Sequence, residues 1–301
     1  MSDLSAPGFA NATLPWQSDA GSGPTLRGRR TALRQPMLHF VHGNGFCGGV
    51  YWPLLGRLLP DYGLFCHDLE GHGASDAPAR YSGTAAIIQR VPAVIAEQDL
   101  LQPQLVGMGH SFGAAVTLAV AARNPQLFKV LVLLDPILLP PATWALSWLS
   151  SRLGRNPMAV ATRRRRDRWS SRAECHQRLH NRGIYRNWSE AGFDCFVEYA
   201  TRDAGSERVL CCPREQEAAI FENPVYPWPL LRHIQCPVLL IHGRDSYPFM
   251  RKSVDRVGRR LPQLEAHAVA GGHCFMQEDP AAVEPLIRAF LVRHGLPPAT
   301  G

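Results

Sequence analysis

Apolar positions gather into six short runs, residues 37–41, 64–66, 105–108, 130–134, 238–241 and 266–269, and most of them show no strict alternation with polar residues. A strand covered on both faces has no polar side, so continuous runs of this length predict the strands of a parallel sheet. Between them, residues 52–59, 85–97, 112–123, 251–260 and 281–293 carry helical spacing and suit the crossovers that such a sheet requires. The last helix is well marked, because Asp279 and Pro280 supply a cap and a first-turn proline and Gly295 supplies a stop. Pro92 falls inside the 85–97 pattern, where a proline removes a helical hydrogen bond. The reading is an α/β core: a mostly parallel sheet flanked by helices.

About a hundred residues between Asp135 and Val238 break this rhythm. They are rich in aromatic side chains, among them Trp144, Trp148, Trp169, Tyr185, Trp188 and Phe221, and contain no convincing strand. The expectation is a helical cap over residues 137–235, inserted between core segments 37–136 and 236–295. Residues 1–36 form an N-terminal extension, and the stretch 27–36, with four Arg and a Pro, reads as a solvated loop.

Composition narrows the class. Of 301 residues, 46% are hydrophobic and 19% charged, with Gly and Pro scattered, which excludes disorder and collagen. The longest apolar stretch, 130–149, is broken by Asp135, Pro136, Pro140 and Pro141, so no membrane span is expected. Residues 1–20 lack an early basic cluster and an apolar run, so no secretory signal is expected and the protein reads as cytoplasmic. The eight cysteines form no C-x-x-C pair and read as reduced thiols. The net charge is +7, yet residues 152–186 alone hold eleven Arg against Asp167 and Glu174. That stretch suits a solvated or lid-facing helix surface. It also suits arginines that face a pocket and receive an anionic substrate. No recognition motif accompanies it, so nucleic acid is not an expected partner.

The sharpest chemical signal is Gly109-His110-Ser111-Phe112-Gly113, placed between the run 105–108 and an Ala-rich helix. Flanking glycines allow the cramped turn that lifts a serine above a sheet edge, and the helix start offers N–H groups to a developing oxyanion. A serine hydroxyl needs a base and an acid. His273 follows the last predicted strand and a Gly pair, which makes it the candidate base. Two backbone donors are needed for an oxyanion, and the amides of Phe112 and Asn44, the latter in His42-Gly43-Asn44-Gly45-Phe46, are the candidates. His39 and His42 lie at a spacing that puts them on opposite strand faces, His42 and His72 read as turn residues, and His110 points away from the serine. No motif argues for a metal.

His42-Gly43-Asn44-Gly45, Asp68-Leu69-Glu70-Gly71-His72-Gly73-Ala74-Ser75, Gly109-His110-Ser111-Phe112-Gly113, Asp135-Pro136 and Gly272-His273 occur in the order found in the α/β-hydrolase superfamily, which the chain resembles from about residue 37 to 293. Within it, the chain is similar to cap-bearing serine hydrolases. The resemblance implies an enzyme without cofactor that cleaves a carboxylic ester or related acyl bond of a small molecule through an acyl-enzyme on Ser111. Thioester or C–C bond hydrolysis, acyl transfer and lyase chemistry can use the same residues, and a non-catalytic ligand receptor on the same fold is the competing class. The acid has two candidates. Many relatives place it three residues after the Gly ending the seventh strand, where this chain has Ser246, with Asp245 one position early; Asp135, at the end of the sixth strand, a position used by some cap-bearing relatives, is the preferred acid and Asp245 the alternative.

Overall fold

The computed structural model describes residues 3–59 and 61–298, so residues 1 and 2 of the expected extension lie outside the described residues. Eleven strands are present among them: β1 (Leu14–Ser18), β2 (Leu26–Arg30), β3 (Met37–Val41), β4 (Gly63–Asp68), β5 (Leu105–His110), β6 (Val130–Leu134), β7 (Arg168–Trp169), β8 (Thr201–Ala204), β9 (Glu207–Leu210), β10 (Val238–Gly243) and β11 (Leu264–Val269). Eight of them form one sheet in the order β1-β2-β4-β3-β5-β6-β10-β11. From β4 to β11 every pairing is parallel, and these six strands are the six apolar runs of the sequence. Strands β3, β4, β5 and β6 are buried along their whole length, which is why they carry no alternation.

Residues 27–30 correct the loop expected there. They belong to β2, which pairs antiparallel with β4 and with β1. The strand hides behind its arginines: Leu26 and Gly28 turn inward, while Arg27 pairs with Asp76 and Arg29 donates to Thr13 Oγ1 at 2.8 Å. Trp16 of β1 covers the inner side by stacking 4.5 Å from Phe65 and donating to the Cys66 carbonyl at 3.0 Å.

Helices α1 (Ala6–Ala12), α2 (Trp52–Leu58), α3 (Thr84–Glu97) and α4 (Ser111–Arg123) precede the insertion; α3 runs unbroken through Pro92. The insertion contributes α5 (Pro141–Arg152), α6 (Pro157–Arg164), α7 (Arg172–Leu179), α8 (Glu190–Tyr199) and α9 (Arg214–Glu222). It also contains strands, contrary to expectation: β7, β9 and β8 form a small antiparallel sheet. Each is two to four residues long and mixes Arg, Glu and Asp with a few apolar residues, too short for a periodicity to register. After the insertion come α10 (Met250–Gly258), α11 (Phe275–Glu278) and α12 (Pro280–Arg293). Asp279 Oδ1 accepts the Ala282 amide at 3.1 Å, the cap that the sequence marks. No helix among the described residues is long and apolar enough to cross a membrane.

Candidate active site

The central strands end at one edge of the sheet, and the candidate chemistry collects there. Ser111 begins α4 directly after β5 with a backbone φ of +54°, an unfavourable region for a residue with a Cβ. The turn closes only because its flanks have no side chains. A Cβ on Gly113 would stand 2.2 Å from the Val41 carbonyl oxygen, and one on Gly109 would stand 2.7 Å from the Gly113 carbonyl.

His273 stands between the serine and an acid. Its Nε2 is 2.9 Å from Ser111 Oγ and its Nδ1 is 2.5 Å from Asp135 Oδ2. Asp135 follows β6, has φ of +41° and is completely buried. Its second oxygen accepts the Gly243 amide at 2.9 Å, and Oδ2 also accepts the Ser246 hydroxyl. The other candidate, Asp245, is exposed, and its carboxylate makes no hydrogen bond or ion pair among the described residues. The position expected for the acid in many relatives thus holds a serine that bonds to Asp135 from the neighbouring strand.

The loop after β3 is braced on both sides of Asn44. Gly43 N–H donates to the Tyr51 hydroxyl at 3.0 Å, and Gly45 N–H donates to His72 Nε2 at 3.1 Å. Between them the Asn44 amide has no acceptor among the described residues. The Phe112 amide lies in the first turn of α4, where an N–H has no partner within the helix. Asn44, Ser111 and Phe112 all line one cavity of about 490 Å³. The side chain of Asn44 is held by the insertion, since its Nδ2 donates to the Glu217 carbonyl of α9 at 2.9 Å. The Glu217 carboxylate pairs with Arg165 beneath Gly45, and burial raises its pKa.

Several histidines do more than a turn requires. His110 points away from Ser111, and its Nε2 lies 3.0 Å from the His273 carbonyl. A carbonyl only accepts, so Nε2 carries the proton and Nδ1 accepts from the Tyr51 hydroxyl, 2.7 Å away. One chain of hydrogen bonds therefore joins the loop at Gly43, through Tyr51 and His110, to the backbone of His273. His42 and His72 lie in the loops where the sequence places them but are buried there: each bonds one ring nitrogen to a carbonyl and the other to a backbone amide. Desolvation holds His42, His67 and His110 well below the ordinary imidazole pKa, His72 at about 4 and His39 at about 3. A Tyr at position 51 and a His beside the serine carry no motif of their own, and only their contacts reveal them.

The cavity is apolar, and no charged residue lines it among the described residues. The arginines of the insertion look elsewhere, which corrects the expectation that some of them receive an anionic substrate. Arg163 pairs with Glu215 and Glu222, Arg165 with Glu217, Arg166 with Glu174, Arg168 with Glu207 and Arg172 with Glu198. The aromatic side chains of the insertion serve packing more than the cavity. Of its named aromatics only Phe221 lines the cavity, while Trp188, Phe196 and Tyr185 pack together and against Phe46 of the core.

Comparison with known proteins places the chain in a family. Over 92 residues the chain is 39% identical to a pimeloyl-[acyl-carrier protein] methyl ester esterase of Xanthomonas oryzae pv. oryzae, a match that covers 31% of this chain and 34% of that relative. The chain is thus matched to about a third of the length of that curated relative. It is 24% identical over 247 residues to a 2-(acetamidomethylene)succinate hydrolase of Mesorhizobium japonicum, covering 81% of this chain and 83% of the relative. A crystal structure of E-2-(acetamidomethylene)succinate hydrolase superposes with a TM-score of 0.76 at 21% identity, covering 93% of this chain and 99% of that one. A family model for the alpha/beta hydrolase family matches residues 40–286. With the sheet, the elbow and the sheet-edge residues in place, this chain belongs to the alpha/beta hydrolase family.

Proposed function

We propose that the protein is a serine hydrolase that cleaves a carboxylic ester, or a closely related acyl bond, of an uncharged and largely apolar small molecule. One observation carries the reading: Ser111 Oγ, His273 and buried Asp135 form a continuous hydrogen-bonded relay of 2.9 Å and 2.5 Å that opens on an apolar cavity. Ser111 attacks the carbonyl carbon while His273 Nε2 takes its proton, and Asp135 holds the imidazolium that forms. The carbonyl oxygen, now negative, turns toward the Asn44 and Phe112 amides. Collapse expels the alcohol, which receives the proton from His273. Water then enters by the same route, with His273 again as base, and the acyl-enzyme is released as a carboxylic acid. Asp245 has no part in this scheme.

The scheme needs no cofactor, and residues 137–235 act in it as the cap that closes the pocket over the core. A cavity with no charged lining residue favours a neutral acyl group over a dicarboxylate such as the succinate in the relative's name. Eight unpaired cysteines suit a reducing compartment and fit a cytoplasmic setting.

The test is labelling of the purified chain with a fluorophosphonate alongside turnover of p-nitrophenyl esters. Ser111→Ala is expected to abolish labelling. Asp135→Asn is expected to lower kcat about 10⁴-fold, the scale reached when a triad acid loses its charge, and Asp245→Asn to change it by less than about threefold. Labelling that survives Ser111→Ala, or a larger loss in Asp245→Asn than in Asp135→Asn, would overturn the assignment.

A further inference from the structure

Helix α5 is built inside out. A surface helix normally turns its apolar stripe to the core and its polar stripe to water. Here Thr143, Ser147 and Ser150 are on the side that lines the cavity, with Leu146 at its margin. Trp148, Leu149 and Leu153 project away from it, and Leu146 and Leu153 are 68% and 60% exposed. No residue of α5 is buried. Met158, at the start of α6, extends the apolar surface and also lines the cavity. Tyr226 joins it from the far side, 4.6 Å from Trp144, whose indole is anchored on the Pro224 carbonyl.

The charges that the segment 136–166 itself carries have one sign. Residues 136–166 contain six arginines and no acidic residue. Arg163 and Arg165 are consumed by Glu215, Glu222 and Glu217 of α9. Arg152, at the end of α5, and Arg155, three residues further on, are exposed and form no ion pair among the described residues; Arg152 lies over the Trp148 ring at 4.9 Å. Leucines and a tryptophan set among unpaired arginines match the boundary of an anionic lipid layer, where alkyl groups enter the acyl region, indoles sit at the headgroups and guanidinium groups meet phosphates. A second copy of the chain fits poorly, since a two-fold contact through this face would set arginines against arginines with no carboxylate from the segment to offset them.

We propose that the outer face of α5, with Leu153, Arg155 and Met158, docks the enzyme on an anionic lipid surface and that ester substrate enters the cavity from that surface. Leu146 and Met158 belong to both the exposed face and the cavity lining, so a lipophilic molecule leaving the lipid reaches the Ser111 cavity along a continuous apolar path. The path to Ser111 rests on the serine hydrolase reading; the docking itself does not.

The experiment is co-sedimentation of the full chain, as Ser111→Ala so that no substrate is consumed, with vesicles of phosphatidylcholine alone or mixed equally with phosphatidylglycerol. Binding to the mixed vesicles, weakened by salt and much lower on phosphatidylcholine alone, is the expected result. Arg152→Gln with Arg155→Gln should lower partition to the anionic vesicles roughly tenfold or more, from about fivefold for each charge. Trp148→Ser with Leu149→Ser should lower it about tenfold or more on apolar area alone. Neither pair lines the cavity, so with Ser111 restored both should hydrolyse p-nitrophenyl acetate in solution like the parent, which also shows that they fold. The proposal is overturned by absence of vesicle binding, by binding that survives Trp148→Ser with Leu149→Ser, or by a dimer in sedimentation that the same pair dissociates. Failure of the hydrolase reading would show separately, as a parent chain with no Ser111-dependent turnover of the dissolved ester.

Discussion

Two helices face each other across the same cavity and could hardly be built more differently. In α4, which carries Ser111 and Phe112, twelve of thirteen residues are buried; in α5, which supplies the opposite wall, none is. The first is packed on the strands beneath it and held at its start by the glycine turn. The second is tied mainly through Trp144 and through Asn156, which caps α6 and also donates to Ser147, Ser151 and the Phe221 carbonyl. In the proposed reaction, chemistry that tolerates errors of only tenths of an ångström sits on the rigid side, and the wall that would meet different acyl groups sits on the side free to adapt.

The contrast is broken most severely by acid. Five buried imidazoles, His39, His42, His67, His72 and His110, lie in the core, whereas the insertion has His176 and His180, both partly exposed beside carboxylates. A histidine held neutral by burial has a folded pKa below its unfolded value. Its contribution to stability is therefore complete above about pH 6.5 and is lost as pH falls toward the folded value. For His39 and His72, with folded values of about 3 and 4, each loses about 2 kcal/mol between pH 7 and pH 5. Urea titrations at the two pH values should show stability dropping by roughly 4 kcal/mol or more. A drop below about 1 kcal/mol would mean that the core imidazoles are not held neutral.

Gly113→Ala strikes the rigid side directly, because the new methyl group meets the Val41 and His42 carbonyl oxygens at 2.2 and 2.3 Å. Neither is a flexible side chain, so the elbow must shift. A loss of about 3 kcal/mol in thermal unfolding is expected, with ester turnover falling at least about a hundredfold. Tyr51→Phe is milder. It leaves the Gly43 amide and His110 Nδ1 without a partner, so kcat should fall about ten- to a hundredfold with little change in KM. A purely structural tyrosine would instead lower the melting temperature and leave kcat alone.

Much of the rigid side was legible from residues alone. Its strands are buried on both faces and so read as unbroken apolar runs, and the elbow needs glycines at fixed places around Ser111. The candidate acid is legible only as a choice of two, Asp135 ahead of Asp245. Asp135 and Asp245 both follow strands at the same edge, and only the path of the loop after β10, which brings Ser246 to Asp135 and turns Asp245 to solvent, separates them. Strand β2 was lost because its outward arginines mimic a loop. The arginines of the insertion mislead in a different way: Arg166 finds Glu174 nearby on α7, but the carboxylates that meet Arg163, Arg165, Arg168 and Arg172 lie on α8 and α9 and in β9, tens of residues away, so local charge says little about what they face. Periodicity shows that α5 is a helix with two faces, but it cannot say which face is inside.

A matched pair of substitutions sharpens the comparison at its smallest scale. Ala115 of α4 and Thr143 of α5 both line the cavity, so Leu at either position removes similar space from the pocket. Both variants should lower the ratio of kcat/KM for long-chain over short-chain p-nitrophenyl esters, by about tenfold, the selectivity usually carried by a methylene or two. Stability should separate them. Ala115 is enclosed on its helix, and a larger side chain there is expected to cost about 1 to 3 kcal/mol. Thr143 is exposed on a helix with no buried residue, so Thr143→Leu should change unfolding by no more than about 0.5 kcal/mol. If Thr143→Leu destabilises the chain as much as Ala115→Leu, α5 is as firmly packed as α4, and specificity and stability are not divided between the two walls.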